Sequence, residues 1–144
     1  MKFLFYPFCL QGIIMLWDEF YYHHRRELPK WERIGHPLDT ITVLTCAVFL
    51  LMKSYNETNL EIYFSLALFS TIFVTKDEWV HTEYCSGEEN WLHALLFILH
   101  PISFISAGYL WMHESRHLFF LFWPLALFLF LIYQIFRWGI YADK

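Results

Sequence analysis

The sequence predicts an all-α integral membrane protein: a helical bundle of about five spanning helices, four of them forming a metal-binding bundle. Three observations carry this expectation. Of the 144 residues, 58% are hydrophobic and 22% aromatic, while only 17% are charged, far from the balance of a soluble domain. The apolar residues gather into runs too many and too long to hide inside so small a globule. Acids and histidines recur at helical spacings near the ends of those runs, which sets up the metal-binding part.

The length suits one transmembrane domain over 1–144. A net charge of −4 with no basic stripe argues against a nucleic-acid partner. Five glycines and five prolines do not make a low-complexity chain. Cys9, Cys46 and Cys85 form no C-x-x-C pair, and the first two sit in apolar runs as small hydrophobes. No disulfide framework is expected.

The first span is predicted over 3–24. Its apolar run is interrupted by Pro7 and Gln11 and ends in WDEFYYHHRRE. That is no small-residue cleavage site, so the run reads as a retained span rather than a signal peptide. It is short for a crossing of roughly 20 residues. Residues 25–35 are polar and basic, with Pro29 breaking the helix and Gly35 permitting a turn. His36-Pro37-Leu38-Asp39-Thr40 reads as a helix start, and the second span follows over 38–52. Asn56-Glu57-Thr58 is formally a glycosylation sequon, read as chance in so tight a loop beside the membrane.

The third span is predicted over 60–81. Ser86-Gly87 marks a turn, and the fourth span covers 89–112, kinked at Pro101. The fifth covers 118–138 and carries no charged residue before Arg137. Trp111, Trp123 and Trp138 suit interfacial positions. Five spans put Arg25, Arg26, Lys30, Arg33, Lys76, Arg137 and Lys144 on one side, and Lys2, Lys53 and Arg116 on the other. Seven against three makes the first side cytoplasmic, with the N-terminus outside. The expected location is a bacterial inner membrane, with the C-terminus and the metal site facing the cytoplasm.

The stretch 74–100 concentrates the chemistry. Glu78 and His81 are i, i+3, and Glu89 and His93 are i, i+4, with His100 two turns deeper on the same face. The first hairpin offers the other half: Glu19 and His23 at i, i+4, then His36 and Asp39 at i, i+3. Asp18-Glu19 and Asp77-Glu78, each followed by an aromatic residue and a downstream histidine, form a loose internal echo. Four helices thus present acid–imidazole pairs at one membrane face, the ligand number that two ions in a carboxylate-bridged bundle need. Imidazole with carboxylate suits Fe, Zn or Mn over Ca or Mg. The second and third runs fall short of a crossing unless Asp39, Glu78 and His81 enter the bilayer, where ionisable groups usually mark function.

Plainer roles apply to some of these residues. Asp39 also fits a helix cap, His24 a surface position, and His113 with His117 an interfacial pair. Cys85 and Glu88 are expected to be bystanders at the turn.

Clustered histidines on a cytosolic face resemble the membrane desaturases and hydroxylases, which hold two irons in histidine boxes. Their H-x-x-H-H boxes are missing; His23-His24 is the one adjacent pair. Glu78-Trp79-Val80-His81 is similar to the E-x-x-H of ferritin-like di-iron proteins, and Glu89 to His93 is one residue longer. DEFYYHH, HPLD and KDEWVH also look like motifs of uncharacterised small bacterial membrane proteins. The expected cofactors are two divalent ions, iron first, with Glu19, His23, His36, Asp39, Glu78, His81, Glu89, His93 and His100 as ligands. The expected function is a non-haem di-iron oxidoreductase acting on a membrane lipid or other apolar substrate, with an electron donor as further partner. A zinc hydrolase is the near alternative, with Asp77 or Glu83 as base. A metal transporter or sensor follows, and a b-type cytochrome ranks last because haem does not ask for so many carboxylates.

Overall fold

The computed structural model describes residues 2–25 and 28–140, apart from the side chains of residues 2, 77, 79, 80, 82 and 140. Its described elements are helical throughout. A 3-10 turn over Lys2–Phe5 leads into α1 (Tyr6–Trp17), with Pro7 in its first turn where a missing N–H costs nothing. The winding then loosens to a π-helix over Asp18–His23. Helix α2 (Lys30–Met52) starts directly after Pro29, whose carbonyl accepts from the Arg33 N–H at 3.1 Å. It therefore begins well before the predicted 38. Pro29 is the starting proline, and Pro37 lies inside the helix.

Helix α3 (Glu57–Phe73) is capped by Asn56, whose side chain accepts from the Asn59 N–H at 2.7 Å. The asparagine of the sequon is thus a helix cap. A 3-10 turn (Val74–Asp77) joins α3 to the short α4 (Glu78–Tyr84). Ser86 caps α5 (Gly87–His113) by accepting from the Glu89 N–H at 3.2 Å. Helix α6 (Phe119–Gln134) relaxes into a π-helix over Ile135–Ile140.

Helix α2 packs on α3 and α6, and α5 packs on α1 and α3. Aromatic rings close the remaining side, Phe8 meeting Phe119 and Trp123 while Phe20 meets Tyr133. One end of the ring is filled by Cys46, Leu50, Tyr63, Phe104, Leu110, Trp111 and Phe120. There the Tyr63 hydroxyl donates to the Phe104 carbonyl at 2.7 Å, and the Trp111 indole to the Lys53 carbonyl at 3.0 Å. Gly108 permits this approach of α3 to α5, since an added Cβ would lie 3.0 Å from the Tyr63 ring. Hydroxyls tie the spans midway, Thr40 donating to Gln134 and Thr42 meeting Ser70, both at 2.7 Å.

Leu68, Phe69, Ile72, Leu125, Phe128 and Leu129 face outward in the open, a surface suited to hydrocarbon. Four helices are long and apolar enough to cross a membrane: Lys30–Met52, Glu57–Lys76, Gly87–His113 and Phe119–Gly139. They point to an integral membrane protein. The first run, expected to be a fifth span, is α-helical only over Tyr6–Trp17, about 18 Å at 1.5 Å per residue. Alone that falls short of a hydrocarbon core of about 30 Å.

Candidate metal centre

At the end of the bundle opposite Trp111, four segments turn acids and imidazoles inward. The π-helix sets the first set. In an α-helix Asp18 and His23, at i, i+5, would stand about 140° apart; widened winding returns them to one face. Glu32 and His36 lie one turn apart on α2, His81 and Cys85 one turn apart across the end of α4, and Glu89 and His93 one turn apart on α5. The Ser86 cap fixes where α5 begins, and so aims Glu89 inward from its first turn.

Three groups of ligand atoms result, the atoms of each within 4.8 Å of one another: Asp18, His23, Glu89 and His93; His23, Glu32 and His36; His81, Cys85 and His93. His23 and His93 each belong to two groups, so the three form one connected cluster of eight residues. One oxygen of Asp18, Oδ2, lies 3.2 Å from His23 Nε2 and 3.1 Å from His93 Nε2. Rings approach closely, with centroids 4.6 Å apart for His23 and His36 and 4.2 Å for His81 and His93.

Burial makes this arrangement demanding. Asp18, Glu19, Glu32 and Glu89 are each at most 5% exposed, and buried carboxylates need compensating positive charge. Asp18 Oδ1, His93 Nδ1 and His36 Nε2 are buried without a hydrogen-bond partner among the described residues. Lone pairs left over on two imidazoles and a carboxylate are what a cation would use. Imidazole nitrogen, carboxylate oxygen and thiol sulfur are all groups able to ligate a metal ion.

Of the predicted ligands, His23, His36, His81, Glu89 and His93 fall in the cluster. Glu19 stands beside it, its carboxylate 3.4 Å from His23 Nδ1 and accepting from the Trp138 indole N–H. A carboxylate on the second nitrogen fixes the orientation of the His23 ring. The Glu78 side chain is 55% exposed, with Oε2 3.8 Å from His81 Nδ1. Asp39 is held by Lys76 at 2.6 Å and stands outside the three groups. His100 lies deeper, bonded to Gln11 and Ser70. Of the two expected bases, Glu83 is exposed on α4, and the side chain of Asp77 lies outside the described residues.

Asp18, Glu32 and Cys85 complete the cluster without having been expected as ligands. Cys85, read as a bystander, has its sulfur among the imidazoles of His81 and His93. Glu88 is exposed and accepts from the Tyr22 hydroxyl at 3.4 Å.

The cluster opens onto a cavity of about 680 Å³ that continues down the bundle past Leu96, Phe97 and Phe130 to His100, Ser103 and Trp123. From His93 to Ser103 the helix rises about 15 Å. Between the Phe8–Trp123 and Phe20–Tyr133 ring contacts, small Gly12 on α1 and Ala126 on α6 also line it. An added Cβ at Gly12 would meet no atom within 4 Å. Comparison of the chain with family models, curated proteins and solved structures gave no match.

Proposed function

We propose that the cluster holds two transition-metal ions and that the protein is a non-haem di-iron oxidoreductase of the membrane, acting on a lipid-like substrate. The single observation behind this reading is the connected set of eight ligand residues at the head of an apolar cavity. Two divalent ions would set positive charge beside the buried Asp18 carboxylate. When bound, iron supplies the redox chemistry with dioxygen, using electrons from an external donor.

The chain's own residues do the rest. His23 and His93 hold Asp18 between them, and Trp138 fixes Glu19 behind His23. The apolar walls exclude water and keep a hydrocarbon chain extended toward the cluster, the positioning that speeds reaction at one carbon. The gap at Gly12 and Ala126 gives that chain a route from the lipid. The excess of lysine and arginine at this end supports placing the cluster on the cytoplasmic face of a bacterial inner membrane, with the N-terminus outside.

The Cys85, His81 and His93 group favours a second reading, since thiolate with imidazole is a preferred zinc set. Zinc would make the chain a hydrolase, lowering the pKa of a bound water. For transport, a polar path would have to pass Tyr63, Leu110 and Trp111, which fill the far end. Elemental analysis of protein purified without added metal decides between the readings. Iron is the expected outcome, with oxygen-dependent modification of added lipid; zinc with hydrolytic release would replace it.

A further inference from the structure

The hydrogen bonds around His100 fix its protonation. Thr42 donates to the Asp39 carbonyl at 2.8 Å, so it accepts from the Ser70 hydroxyl at 2.7 Å. Ser70, having spent its proton, accepts from His100 Nε2 at 3.1 Å. The proton therefore sits on Nε2, and Nδ1 accepts from the Gln11 amide N–H at 3.1 Å. His100 is complete and has nothing left to give a ligand.

Two groups beside it are incomplete. Committing the Gln11 nitrogen to His100 leaves its carbonyl oxygen as an acceptor. One turn beyond His100, the Ser103 hydroxyl is 3% exposed and has no hydrogen-bond partner among the described residues. Both residues line the cavity, in walls otherwise built from Phe8, Phe97, Phe104 and Trp123. A buried hydroxyl without a partner is costly in such surroundings.

We infer that the deep end of the cavity is a recognition site for a hydroxyl group on an elongated apolar molecule, read by Gln11 and Ser103. A hydroxyl can donate to the glutamine oxygen and accept from the serine hydroxyl at once. A ketone can only accept, and a hydrocarbon leaves both groups bare. The rise along α5 sets this hydroxyl about 10–15 Å from the carbon presented to the cluster. This deepens the proposed function by naming the substrate as a long-chain alcohol or hydroxylated lipid, and rests on that reading only for the reacting end.

The test uses decanol, decanone and decane on the full chain in detergent, with affinity read from thermal stabilisation and metal content measured on the same samples. Decanol should bind about tenfold more tightly than decane, with decanone between them. Ser103→Ala should drop decanone to the level of decane and diminish the preference for decanol, which keeps only its bond to Gln11, and Ser103→Thr, which keeps the hydroxyl, should restore the order. Metal content should be equal in all three proteins. Equal binding of the three compounds to the native chain, or an undiminished alcohol preference in Ser103→Ala, would overturn the inference while leaving the metal reading standing. An alcohol preference in protein that binds no metal would support the hydroxyl site and count against the metal reading.

Discussion

At the Trp111 end of the bundle, the Tyr63 hydroxyl donates to one carbonyl and the Trp111 indole to another. At the His93 end, four buried carboxylates and four imidazoles crowd together, and Asp18, His36 and His93 keep buried atoms without hydrogen-bond partners among the described residues. Both ends are walled by the same helices. Packing by itself needs no such cluster, since the apolar end achieves close approach with Gly108 and aromatic rings alone.

The comparison can be broken most sharply at His93. His93→Ala removes a residue common to two ligand groups and should cut metal content from two ions to one or none, read by elemental analysis. It also removes one of the two imidazoles beside Asp18 Oδ2, leaving His23, and should lower the melting temperature. Trp111→Ala should destabilise the opposite end by about 3–5 kcal/mol, while metal per folded chain stays constant. Gly108→Ala brings a methyl group against the Tyr63 ring and should cost about 1–3 kcal/mol, again without touching the metal. The smallest change is Asp39→Asn. Its carboxylate pairs with Lys76 away from the ligand groups, so metal content should be unaltered and the melting temperature should fall only slightly.

Helical spacing made much of the site legible. His23, His81, Glu89 and His93 were found through pairs one turn apart, and the bundle through long apolar runs. Asp18 escaped because an α-helical count puts it on another face from His23; only π winding aligns them, and no residue in 18–23 announces it. Glu32 falls outside the predicted span because His36-Pro37 reads as the helix start. Pro29 ahead of Glu32-x-x-x-His36 was the available signal. Cys85 is also one turn from His81, and its N–H bonds the His81 carbonyl at 2.9 Å, so helical bonding reaches further than the predicted end at 81. Asp39 shows the converse. Its partner Lys76 is on another helix, and no local pattern predicts a pair across that separation.

If the two groups sharing His23 and the two sharing His93 act together, they form one two-ion site. Titrating metal-stripped protein with iron(II), and following the bound fraction directly, tests it. The account predicts saturation at two ions per chain, with binding lost in the His23→Ala, His93→Ala double variant. No saturable binding, or binding that survives removal of both histidines, would contradict it.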